Sequence, residues 1–61
     1  MKVNEVVRVI SDDGWFLHRH GANHDVYKHT TKKGFVIVPR HGAKELKKKT
    51  ELSILKSAGL K

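Results

Sequence analysis

Five histidines stand in this chain of 61 residues, at His18, His20, His24, His29 and His41. An imidazole titrates near neutrality, so it can take a proton from one oxygen and return one to another. One reaction that needs little else is cleavage of RNA. A base removes the ribose 2′-OH proton, the oxygen attacks phosphorus, an acid protonates the departing 5′-oxygen, and cations hold the charge on the phosphate. DNA lacks the hydroxyl and is inert to that chemistry. A metal site is the other use of histidines: His18 and His20 are spaced to share one face of a strand, with His29 across from them. No cysteine and no matching carboxylates support such a site. No metal and no cofactor are therefore expected. On residue type alone, His24 reads as a surface histidine completing a turn with Asn23, and His41 as a loop residue bonded to backbone.

The elements that must position these side chains follow from the spacing of apolar residues. Val3, Val6, Val7 and Ile10 lie at i, i+3, i+4 and i+7, which predicts a helix over 3–11, stopped by Asp12-Asp13-Gly14. Trp15 to Arg19 reads as a strand and His20 to Asn23 as a turn. Asp25 to Thr31 reads as a second strand, with β-branched Val26, Thr30 and Thr31 around Tyr27. Lys32-Lys33-Gly34 closes a hairpin into Phe35 to Val38, a third strand ended by Pro39, whose unbroken apolar run predicts a central place or burial on both faces. Gly42 to Lys49 is a basic connector. Thr50 is a suitable N-cap for a last helix, with Leu52, Ile54, Leu55 and Ala58 on its apolar side and Gly59 placed for its C′ position. The order is α-β-β-β-α. A three-stranded antiparallel sheet with both helices on one face is the expected α+β architecture, that of the double-stranded-RNA-binding-domain-like fold.

The chain is expected to form a single domain over residues 1–61 with a thin core, because so short a chain buries only about 60% of its unfolded surface. Without disulfides, a stability of roughly 3–5 kcal/mol is expected for a monomer. Thirteen Lys and Arg against six Asp and Glu give a net charge of +7, a field that favours RNA, DNA or an acidic protein. The apolar runs are too short to cross a membrane and the first residues lack a signal-peptide pattern, so the cytoplasm is the expected location. The aromatic residues Trp15, Phe16 and Phe35 are expected in the core. Tyr27 is the one allowed on an open face, where it would stack a base or meet a partner.

The stretch Gly14-Trp15-Phe16-Leu17-His18-Arg19-His20-Gly21-Ala22-Asn23-His24-Asp25-Val26-Tyr27-Lys28-His29 is followed by Val36-Ile37-Val38-Pro39-Arg40-His41. Then come Thr50 and Ser53-Ile54-Leu55-Lys56-Ser57-Ala58-Gly59-Leu60. In this order and at these spacings the segments resemble the HicA (YcfA-like) toxin family, over nearly the whole chain. The resemblance implies a metal-independent endoribonuclease that cuts mRNA and arrests growth until a HicB-type antitoxin neutralises it. It also implies that the histidine of the turn before the second strand is catalytic, which here is His24. Arg19, His20 and Lys28, near it in sequence, are then the candidate phosphate contacts. The sequence departs from the family pattern in three places. The small-residue turn, often Gly-Ser, is Ala22-Asn23 with the glycine one place earlier at Gly21. The residue after His24 is Asp25, and a glycine common before the threonine is Lys49.

A non-catalytic RNA-binding module of the same fold is the main alternative. It accounts for the charge and the element order but leaves His24 without a task. The expected opening of the last helix at Glu51, with Lys56 late, also lacks the early basic residues of such modules. A DNA-binding helical regulator fails on its three-strand centre, which leaves no helix pair of recognition geometry.

Overall fold

The computed structural model describes residues 1–40 and 44–61. The elements are α1 (Val3–Asp12), β1 (Trp15–His20), β2 (His24–His29), β3 (Val36–Pro39) and α2 (Lys48–Ser57). The strands form one antiparallel sheet in the order β1-β2-β3. This is the α-β-β-β-α arrangement of an α+β, double-stranded-RNA-binding-domain-like fold.

The core lies between the sheet and the two helices. Val3, Val6 and Ile10 of α1 meet Trp15, Tyr27, Val36 and Val38 of the sheet and Ile54, Leu55 and Ala58 at α2. The four valines in α1, Val3, Val6, Val7 and Val9, are β-branched and poor helix formers, so its helicity depends on this burial. Glu5 also accepts a hydrogen bond from the Lys2 backbone N–H at 2.8 Å, satisfying a donor at the helix start. At the other end of the chain, α2 stops as its glycine predicts. Gly59 has φ 75°, its N–H donates to Lys56, and the Leu60 N–H donates to Leu55, a Schellman closure with Leu60 packed back on the core.

Three expectations need correction. First, β3 is an edge strand. Val36 and Val38 are buried while Ile37 is 49% exposed, so the apolar run covers the core with alternate residues only, and β2 is the centre. Second, α2 begins at Lys48 with Lys47 as its N-cap residue, and Thr50 lies within the first turn. Lysines are adequate helix formers, and Leu46 is already fixed beside the core by its N–H bond to the Met1 carbonyl. The helix therefore starts where that anchored segment ends. Third, Phe16 and Phe35 lie outside the core, at 46% and 54% exposure. No helix among the described residues is long and apolar enough to cross a membrane.

Candidate functional site

Register decides which face each side chain takes. Trp15, Leu17 and Tyr27 share the helix-facing side, with Leu17 paired to Tyr27. A β-bulge then intervenes, because Arg19 pairs with Val26 and leaves His18 without a partner. The extra residue resets the alternation. Arg19 turns to the open face beside Val26, and His20 turns to the helix side opposite Asp25. His18 and His20 therefore do not share a face, as uninterrupted alternation would require.

His24 opens β2 on the open face, opposite Pro39 of β3. Its side chain lines a groove of about 420 Å³ between the β3 edge and the first turns of α2, together with Ile37, Pro39, Lys47, Lys49, Thr50, Ser53 and Ile54. The groove thus brings together His24 and four polar residues distant in sequence, Lys47 just before α2 and Lys49, Thr50 and Ser53 within it.

The turn that carries His24 is held from both sides. The Gly21 N–H donates to the His24 carbonyl at 2.6 Å. A Cβ on residue 21 would lie 2.8 Å from that carbonyl oxygen, a contact with backbone that cannot swing away. Glycine at position 21 serves this close approach. On the other side, the Arg40 N–H donates to the Asn23 carbonyl at 3.1 Å, and the Arg40 guanidinium donates to the Gly21 carbonyl and to Asp25 Oδ1. His20 Nδ1 meets the same Asp25 oxygen at 2.7 Å.

Asp25 is the hub of that brace. The hydrogen bond from His20, then the Arg40 guanidinium, hold its carboxyl below the usual aspartate range, against the opposing effect of desolvation. A depressed folded-state value means that the stabilisation is complete above the unfolded pKa and is lost as pH falls through the folded one. Wild type should therefore exceed Asp25→Asn in stability at neutral pH, and the gap should close as pH falls below about 4. Urea unfolding followed by circular dichroism across that range checks this. A gap independent of pH would mean that Asp25 contributes by shape alone.

The other residues singled out from the sequence separate into distinct surroundings. Arg19 and Lys28 lie on the open face. His20 is 62% exposed in its side chain but is committed to Asp25. Tyr27 is 8% exposed and belongs to the core, so the open-face role expected for its ring is overturned by β2's register. Its burial raises the phenol pKa. His29 is structural: its Nδ1 accepts the Thr31 and Lys32 N–H groups, so Nε2 carries the proton and donates to the Asp13 carbonyl at 2.6 Å. Among the described residues, no three His, Cys, Asp or Glu side chains converge on a point where a metal ion would sit. His41 lies outside the described residues.

Arg40, Thr50 and Ser53 are the site residues that sequence reasoning missed. Only the β3-to-α2 packing brings the two hydroxyls to His24, and no local spacing signals it. Arg40 was visible within Val-Pro-Arg-His, but its reach back to Gly21 depends on the pairing of β2 with β3.

A family model described as the HicA toxin of bacterial toxin-antitoxin matches residues 3–60. No curated protein matches the chain.

Proposed function

The chain belongs to the HicA toxin family of bacterial toxin–antitoxin systems, and from that premise we propose that it is a metal-independent endoribonuclease that uses His24 to cut mRNA in the cytoplasm. The observation that carries the proposal is the groove that His24 lines together with Lys47, Lys49, Thr50 and Ser53. His24 acts as the base on the ribose 2′-OH. Lys47 and Lys49 offset the charge that grows on the non-bridging phosphate oxygens, and the hydroxyls of Thr50 and Ser53 donate hydrogen bonds to them. Arg19 and Lys28 contact flanking phosphates from the open face, at a cost in affinity as salt rises.

A toxin of this class implies an antitoxin. We assign a HicB-type partner that covers the His24 groove, with an acidic surface suited to the +7 charge.

The test is cleavage of a defined single-stranded RNA in EDTA, by wild type and by His24→Ala. Expected are a 2′,3′-cyclic phosphate end from wild type, no cut at a position carrying a 2′-deoxy sugar, and no cleavage by the variant. A metal requirement, or an unchanged rate in the variant, would overturn the proposal.

One observation favours the binding-module reading more than the sequence did. Because α2 begins at Lys48, Lys48 and Lys49 do stand in its first turn, where RNA-binding modules of this fold carry basic residues. Binding without cleavage in the same assay would select that reading.

The brace on the turn supplies a second expectation. Gly21→Ala places a methyl against the His24 carbonyl and must shift the start of β2. A displacement near 1 Å at a reacting group costs on the order of a hundredfold in rate. The variant should therefore lose roughly ten- to a hundredfold in cleavage while its circular dichroism spectrum stays close to wild type. A folded Gly21→Ala protein with the wild-type rate would show that the turn does not aim His24.

A further inference from the structure

The face of the sheet turned away from the helices carries a second, differently built surface. Phe35 is 54% exposed, Ile37 49% and Phe16 46%, although so small a core has use for every apolar side chain. Cationic and aromatic groups surround the Phe35 ring. The Lys28 ammonium stands 5.7 Å from its centroid, and the His18 ring lies 5.9 Å away, tilted 36°. The bulge brings Arg19 to the same face, where His18, Arg19, Val26, Phe35 and Ile37 line a shallow depression. Ile37 also lines the His24 groove, so the two surfaces are continuous along β3. From Phe35 to Pro39 a strand runs roughly 13 Å.

Exposed rings with cations beside them suit flat π-faces joined by phosphates, which is the chemistry of an unpaired polynucleotide. A duplex hides its base faces inside the stack and offers grooves and backbone instead. The surface continues to the proposed catalytic side chain, and the chain carries net charge +7. We infer that this open face is a track for single-stranded RNA that stacks one base on Phe35 and leads the strand along Ile37 to His24. The inference rests on the part of the proposed function that makes RNA the ligand, and it adds that the RNA is selected for being unpaired. The bulge at His18 is then functional. Without the extra residue, Arg19 would turn to the helix side and His18 would not need to leave the ladder.

The test is binding, kept separate from cleavage. The probes are a fluorescein-labelled short 2′-O-methyl RNA, which cannot be cut, the same strand with abasic positions, and its duplex. Stacking on an aromatic contributes enough that Phe35→Ala should weaken binding of the single strand by roughly tenfold, with Phe35→Trp restoring it. On the abasic strand and on the duplex, wild type and Phe35→Ala should bind alike. Since the ring is more than half exposed, the variant should keep the wild-type circular dichroism spectrum, and Phe35→Trp covers the case in which it does not. Equal binding of the single strand by wild type and Phe35→Ala overturns the inference, as does an equal loss on the abasic strand. If Phe35→Ala keeps its RNA affinity and instead loses affinity for an antitoxin, the face belongs to a protein partner. A protein that never cuts RNA but shows the Phe35-dependent preference for single strands would sink the nuclease proposal and leave this one standing.

Discussion

His24→Ala is expected to lower the rate of RNA cleavage by about 10²–10⁴-fold, the range that a positioned general acid or base contributes. The same substitution should leave stability within about 0.5 kcal/mol of wild type, because the side chain is exposed and takes no part in the core. The separation of the two effects follows from how the turn is built. What fixes His24 is its own backbone carbonyl, bonded to the Gly21 N–H, and the Arg40 brace on Asn23 and Gly21. Alanine keeps all of these contacts. A loss of activity in a protein with wild-type circular dichroism and urea midpoint would thus report chemistry and not folding. The other histidines act as internal controls. His29 lies under Trp15 with both ring nitrogens engaged by backbone, so its removal should act through stability. Equal cleavage by wild type and His24→Ala would remove His24 from the reaction, and with it the assignment of the α2 groove as the place of catalysis.

Much of the architecture was legible because it rests on periodicity and punctuation. Valines at helical spacing, Asp12-Asp13-Gly14, the turn through Gly21 and Asn23, Pro39 and Gly59 each act locally, and each one stops or starts an element within a residue of where expected. What failed to show was anything that register decides. The bulge at His18 is a property of two strands together, yet it determines the face of Arg19 and His20. Tyr27 and Val26 alternate, and only the helices' position tells which of them is covered. Thr50 looked like a cap by residue type, but the anchoring of Leu46 to Met1 started the helix earlier. The site was half visible for the same reason. His24 could be singled out by resemblance, whereas the lysines, threonine and serine that line the same groove lie more than twenty positions away.

Trp15→Ala should leave the isolated chain largely unfolded. Trp15 is 2% exposed, stands edge-on to the His29 ring at 5.2 Å, and donates its indole N–H to the Ala58 carbonyl at 3.3 Å. It therefore joins the start of β1, the end of β2 and the end of α2 in one contact. Removing a buried tryptophan costs about 3–5 kcal/mol. A core of this size supplies roughly the same amount in total, so little stability is left. Trp15→Phe should be much milder, at about 1–2 kcal/mol, because most of the apolar area stays. The Ala58 carbonyl it releases still accepts from Lys32 Nζ at 3.1 Å and is not left unpaired. Urea unfolding by circular dichroism separates the three proteins without relying on the indole signal. A partner that binds only the folded toxin adds about 4 kcal/mol when present at a thousand times its Kd. An antitoxin in that excess should therefore recover the fold of Trp15→Ala, and activity should remain suppressed while it is bound. A Trp15→Ala chain that unfolds at the wild-type urea midpoint without any partner would show that the two helices and the sheet are held together by other contacts than this one.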